Sequence, residues 1–541
     1  MLLGKPIEEL GLFTDFYQLT MAQAAWDEAK RTNTPQTQSC FELYFRKNPF
    51  EGGYAISCGL KDAIDLIQRF KFSKENVQFL REQCDSEGAP LFKEDFLNYL
   101  ENEFEFTCDI DAMPDGSVVF ANEPVVRITG PTMQGQLLET ALIHLFGFQT
   151  LTATNASHLA TVANGKPIVE FGARRAQNPV DASYAAYVGG AKGTSNAMAG
   201  FLYRIPVIGT FAHSWVMSHN NELEAFREYA ASMPGNCTFL VDTYNTLEGV
   251  KKAITIGQEL RHEGHEMIGI RLDSGDLAYL SSEARKLLNE SGFENAKIIA
   301  SNDLNSRTIR DIESQEGSSI DIYGVGTRLV TNDGQPSLGM VCKVTAVQNA
   351  NTHAWEGKVK LSEDAGKITT PGRKQVRRFE ANGRYIGDVL YNIDTPPHEW
   401  NMVDPSNQTV IHEFSQMMDE DDSITFEDML KPVFRHGELV YEHAEENVTA
   451  AKTRAEAQKA HVDPRTKRIL NPQLYPAGLE DALSEQKINM IRGINAQSKR
   501  EIRKRERHER GEYGNKKLRM FTTEDSEATA NNEEHGAQLG S

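Results

Sequence analysis

His213, Asp242, Arg271 and Asp273 could work together chemically, because each sits at the end of a short apolar run. The runs are IPVIG (205–209), TFLVDTY (238–244) and MIGIRLD (267–273). A histidine just past a strand can act as a base or nucleophile once one ring nitrogen is held, and Asp242 and Asp276 are candidates to hold it. Arg271 suits a phosphate or pyrophosphate. Asp273 and Asp276, within one turn of it, suit Mg2+ or ribose hydroxyls. An Asp273 or Ser274 helix cap would also explain part of RLDSGDL, and it excludes no ligand.

Three more strand ends add to this set. After IVEF (168–171), Phe171 offers a stacking face, and Arg174 and Arg175 offer positive charge for an anion. AKIIAS (296–301) ends at Ser301, with Asp303 two residues on. YGVGTR (323–328) sets Gly324 and Gly326 ahead of Thr327. Glycines let backbone N–H groups close around an anion, so the favoured reading is a phosphate nest. Six successive runs ending polar in one direction are hard to explain as stability, since a core gains nothing from convergent charges.

The elements that must position these residues are strands alternating with helix-length segments. The runs start roughly 20–40 residues apart, the spacing of strand–helix units. MVCKVTAV (340–347) reads as a seventh run. Seven units predict a closed or nearly closed α/β barrel with its site at the strand exits, and a doubly wound open sheet is the competing architecture. Residues 1–160 mix strands and helices and read as an N-terminal α+β domain. The expected divisions are then a barrel over 161–347, a C-terminal α+β segment over 348–495 packing on both, and a charged disordered tail over 496–541.

Composition sets the outer limits. The chain has 541 residues, 39% hydrophobic and 25% charged, in the range of a water-soluble globular protein. A net charge of −20 makes it a poor partner for nucleic acid or an anionic membrane. No apolar run approaches a membrane span, and the acidic start does not resemble a signal peptide, so a cytoplasmic location is expected. Six scattered cysteines without a C-x-x-C pair argue against a zinc site or a disulfide framework.

Taken in order, TDFYQLTM (14–21), FELYFRKNPF, GGYAISCGL, EFGARRAQ, GGAKGTSN, GTFAHSWVM, VDTYNTL, RLDSGDL, ASNDLN and YGVGTRL resemble the nicotinate phosphoribosyltransferases. The resemblance covers roughly 10–490 and implies an irregular, incomplete α/β barrel with an N-terminal α+β domain and a C-terminal extension. It implies transfer of the 5-phosphoribosyl group from PRPP to nicotinate, giving nicotinate mononucleotide and pyrophosphate. It also implies coupled ATP hydrolysis through a phosphohistidine, as in the ligase class, with ATP and Mg2+ required and a homodimer that shares its active sites.

Carried over by position, His213 resembles the phosphorylated histidine and Asp242 its partner. Tyr17 and Phe171 resemble the aromatics that sandwich the pyridine, Tyr17 from the other subunit. Arg174 and Arg271 resemble anion contacts, and Asp273 the ribose-binding carboxylate. Ser301, Asp303, Gly324, Gly326 and Thr327 fall in the sugar-phosphate site. Thr194 and Ser195, in GTSN, fall where the pyridine's substituent is read. With no acid in that tetrapeptide, a carboxylate meets no like charge. The rival readings are a sugar-phosphate isomerase, which would not need Phe171 and His213 so placed, and a scaffold that has lost activity.

Overall fold

The computed structural model describes residues 9–32, 36–404, 410–444 and 446–502. One unit holds 9–358 and 372–480 of these, and a second holds 359–371 and 481–502.

In the first unit, a parallel sheet of six strands carries the polar run ends. Its order is Gly193–Thr194, Ile168–Glu170, Ile322–Val325, Lys297–Ala300, Gly269–Leu272, Thr238–Leu240. Most residues of these strands are buried, as expected of parallel strands covered on both faces. The helices between them, among them Thr246–His262 and Leu277–Glu290, bury one apolar stripe each. The sheet forms part of a barrel.

Two expected barrel strands are placed differently. Of the 205–209 run, only Val207 makes a parallel bridge, to Thr194. Pro206 has no N–H to donate, so pairing is limited to Thr194 N–H on the Pro206 carbonyl and Ile208 N–H on the Thr194 carbonyl. The 340–347 run is not a seventh barrel strand. Met340–Gln348 pairs antiparallel with Gln38–Phe45 in a seven-stranded sheet whose three central strands come from the N-terminal part. A parallel crossover needs a dozen or more residues and usually a helix. Here TNDGQPSLG fills the gap instead, so the strand is free to leave.

That second sheet also takes Val126–Pro131, Asp109–Ala112 and Lys431–Arg435, so distant segments share the N-terminal core. The helix Thr132–Val162 links the two halves. Its first turns lie in the core of the antiparallel sheet, and Ala156 and Leu159 lie in that of the parallel one. Asn155 on this helix donates to the Arg328 and Leu329 carbonyls at 3.1 and 3.2 Å, which fixes the loop after Ile322–Val325. A third, mixed sheet is centred on Lys374–Ala381 and Arg384–Asn392.

In the second unit, residues 481–502 are helical, and Lys487 Nζ donates to Thr370 Oγ1 at 3.0 Å. The short β signal at 359–364 is irregular. Of the charged tail, 503–541 lies outside the described residues. Among the described residues, no helix is long and apolar enough to cross a membrane.

Candidate functional site

Arg271 is the hub of the strand ends. It is the third residue of Gly269–Leu272, and its guanidinium reaches sideways to the neighbouring exits. Nε donates to Ser301 Oγ at 2.8 Å, Nη1 to Thr210 Oγ1 at 3.0 Å, and Nη2 to Asp273 Oδ1 at 2.8 Å. Ser301 Oγ also donates to Asp273 Oδ1. The guanidinium lies 5.6 Å from the Phe171 ring centre, within cation–π range. One side chain thus joins four segments far apart in sequence.

Asp242 anchors the next exit. Its Oδ2 accepts from Asp273 N–H at 3.0 Å and Ser274 Oγ at 2.6 Å. Its Oδ1 is buried and has no hydrogen-bond partner. That atom lies 3.9 Å from His213 Nε2, and Asp273 Oδ2 lies 3.8 Å from the same nitrogen. On the other side of the ring, His213 Nδ1 is 3.1 Å from Thr243 Oγ1. His213 opens the short helix His213–Met217, and its side chain is 39% exposed, with the ring held at Nδ1 and Nε2 facing the two carboxylates. Asp276, expected beside this histidine, instead caps the helix Leu277–Glu290 by accepting from Tyr279 N–H at 3.1 Å.

The glycines of YGVGTR have a steric job. A Cβ on Gly324 would fall 2.5 Å from Phe171 Cδ2 and Cε2, so the missing side chain is what seats the ring. Gly326 precedes the four-residue helix Thr327–Val330, and a Cβ there would meet the Phe171 carbonyl at 3.2 Å. Phe171 N–H donates to the Val325 carbonyl at 2.8 Å, locking the aromatic to this turn.

Ser195 is exposed, one position beyond the Glu170–Thr194 pair, and so level with Phe171. Thr194 is buried, and its hydroxyl bonds the Glu170 carboxylate inside the fold. Arg174 is exposed on the loop after Phe171. Asp303 is exposed with φ of 45°, after Asn302 at 99°, two successive residues in the left-handed region that side chains seldom adopt. Tyr17 stands on the helix Phe16–Thr32, half exposed, and its hydroxyl accepts from Gln18 Nε2 at 2.8 Å. Burial and nearby Glu139 push its phenol above the usual value. Its neighbours belong to the N-terminal part, not to the surroundings of Phe171.

Two partners escaped the residue-by-residue reading. Thr243 stood among the strand-end residues without a role, yet it holds His213. Glu170 had a signal of its own, an acid closing the otherwise apolar run IVEF.

Family models match most of the chain. They describe a nicotinate phosphoribosyltransferase (NAPRTase) N-terminal domain over residues 12–146, the NAPRTase family over 167–384, and a NAPRTase C-terminal domain over 373–487. A nicotinate phosphoribosyltransferase of Bacillus subtilis is 36% identical over 508 residues, covering 92% of this chain and 98% of its own length. One from Dictyostelium discoideum is 38% identical over 430 residues, 70% of each chain. Among solved structures, human nicotinic acid phosphoribosyltransferase superposes with a TM-score of 0.74 at 26% identity, covering 88% of this chain and 100% of that one. A nicotinate-nucleotide pyrophosphorylase from Pyrococcus furiosus shares the fold, with a TM-score of 0.60 at 19% identity over 85% of this chain and 98% of its own.

Proposed function

Because the chain belongs to the nicotinate phosphoribosyltransferase family, and is thus an enzyme of NAD biosynthesis acting on nicotinate and PRPP, we propose that it couples phosphoribosyl transfer to ATP hydrolysis through a phosphohistidine at His213. The products are nicotinate mononucleotide, pyrophosphate, ADP and phosphate, which is ligase-class chemistry.

The arrangement of His213 carries this reading. With the proton on Nδ1 and donated to Thr243 Oγ1, the Nε2 lone pair is the accessible one. A bond forms from Nε2 to the γ-phosphorus of ATP, the bond from that phosphorus to the bridging oxygen breaks, and ADP leaves; a water oxygen later bonds to the phosphorus as the Nε2–P bond breaks, which releases phosphate and restores the imidazole. In the second reaction, the anomeric carbon of PRPP becomes positively charged as pyrophosphate departs. Arg271 and Arg174 bind the leaving anion, and Asp273 orients the ribose. Phe171 holds the pyridine flat so that its ring nitrogen meets that carbon. Ser195 receives the carboxylate of nicotinate. The 5-phosphate lies over Gly326 and Thr327, with Ser301 and Asp303 on the sugar side.

Mg2+ fits the donors present. Asp242 Oδ1 is buried without a partner, and Asp273 Oδ2 faces the same nitrogen. Mg2+ is commonly held by one or two carboxylates, with substrate phosphates and water filling its other positions. Among the described residues, no group of three or more acids, histidines or cysteines is arranged to hold a metal without substrate. When bound, Mg2+ would neutralise phosphate charge.

A homodimer would complete the slot. Met198, Phe201 and Leu202 on the helix Ala197–Tyr203 are 54%, 70% and 52% exposed, just after Ser195. A second copy seated on this apolar face would cover it and bring its own exposed Tyr17 toward Phe171. The six free cysteines suit a reducing cytoplasm.

The test is nicotinate mononucleotide formation with and without ATP carrying a labelled γ-phosphate. Acid-labile label should appear on the wild type and not on His213→Ala, which should also lose the ATP-dependent turnover. Full turnover without ATP and no label would overturn the coupling. Mixing Tyr17→Ala with His213→Ala should restore activity if the sites are shared.

A further inference from the structure

We infer that Glu170 is a positioning residue for the nicotinate slot, clamping the turn that bears Phe171 to the strand end that bears Ser195. The inference rests on the function proposed above.

Glu170 closes the strand Ile168–Glu170 and is fully buried. Its Oε1 accepts from Gly172 N–H, the second residue of the turn that holds Phe171. Its Oε2 accepts from Thr194 Oγ1 and lies 2.9 Å from Ser183 Oγ on the helix Pro179–Gly189. Its own carbonyl accepts from Ser195 N–H at 2.9 Å. One residue therefore ties both walls of the slot and the helix behind them.

The chemistry of the carboxylate matters here. It has acceptor sites only, so it can draw three donors to one point. Because the Thr194 proton goes to Glu170, the Thr194 oxygen is left to accept from Asn196 N–H at 2.9 Å. Asn196 in turn caps the helix Ala197–Tyr203 through Met198 and Ala199 N–H. The clamp thus runs from beneath Phe171, past Ser195, to the helix beyond. A buried charge held only by neutral donors costs stability, and a pure core position would gain by being apolar. The Arg271, Asp242 and Asp273 contacts on the sugar side share none of these bonds.

The test is steady-state kinetics of the full chain, varying nicotinate and PRPP separately. Glu170→Gln keeps an acceptor for Gly172 N–H but puts an amide N–H at the other end, so the Thr194 and Ser183 hydroxyls can no longer both donate there and the clamp is weakened. It should raise the KM for nicotinate at least about tenfold and leave that for PRPP within about twofold. Thr194→Val, which removes one donor and serves if Glu170→Gln does not fold, should move the same constant in the same direction. Thr194→Ser keeps the hydroxyl and should restore it. Equal changes in both KM values, or an unchanged nicotinate KM in Thr194→Val, would overturn the inference while leaving the function intact. A wild type that makes no nicotinate mononucleotide would overturn both.

Discussion

Arginine and aspartate are used in opposite ways in two regions of this protein. In the third sheet, Arg378 is buried and grips Asp388 through Nε at 3.0 Å and Nη2 at 2.6 Å, while Nη1 donates to the Val118 carbonyl at 2.9 Å. Tyr475 adds a bond to Asp388 at 2.7 Å. At the parallel strand ends, Arg271 and Asp273 also pair at 2.8 Å, but with capacity to spare: Asp242 Oδ1 lacks a partner and His213 is only half-buried. The difference teaches how to tell a structural ion pair from a ligand-binding one. The first has its valences filled by the protein, and the second, on the function proposed here, keeps some open for another molecule.

Substitution can break that contrast from either side. Arg271→Gln should lower kcat/KM by a factor on the order of a hundred, because it removes charge that stabilises a departing anion, with a smaller loss of stability than the next variant shows. Arg378→Met should do the reverse. It leaves Asp388 buried and unpaired and should cost about 3–5 kcal/mol in denaturant unfolding, with turnover per folded molecule unchanged. An Arg378→Met protein that is stable but inactive would erase the distinction.

Two smaller effects sharpen it. Ser195→Asp should raise the KM for nicotinate about tenfold through like-charge repulsion while sparing PRPP; unchanged nicotinate kinetics would remove Ser195 from the slot. The last prediction concerns pH. His158, buried between Phe50 and Tyr54, has its pKa lowered to about 4, by burial first and Lys459 second. Above its ordinary value of 6.5, both folded and unfolded chains carry it neutral, and its contribution to stability is full. As pH falls from there toward 4, only the unfolded chain takes up the proton, so stability is lost in that window. Melting temperatures of the wild type should fall between pH 6.5 and 4 more steeply than those of His158→Gln.

The strand ends were legible because burial on both faces leaves a continuous apolar run, and chemistry begins where the run stops. That reasoning named Arg271, Asp273, Asp242, His213 and Phe171 without coordinates, and the structure brings these five side chains together. It failed where pairing depends on what lies opposite. The 340–347 run is as apolar as a barrel strand, yet its partner is Gln38–Phe45. The 205–209 run is apolar too, yet its proline limits it to one bridge.

The order of residues alone determined which side chains could do chemistry and that they stand at successive strand exits, since apolar periodicity and local turn residues are properties of neighbouring positions. Only the tertiary structure decided which of them meet. It set Asp273 rather than Asp276 beside His213, made Gly324 the seat of Phe171, and tied Thr194 to Glu170. Those choices come from hydrogen bonds and close contacts between segments tens of residues apart, which no local pattern encodes.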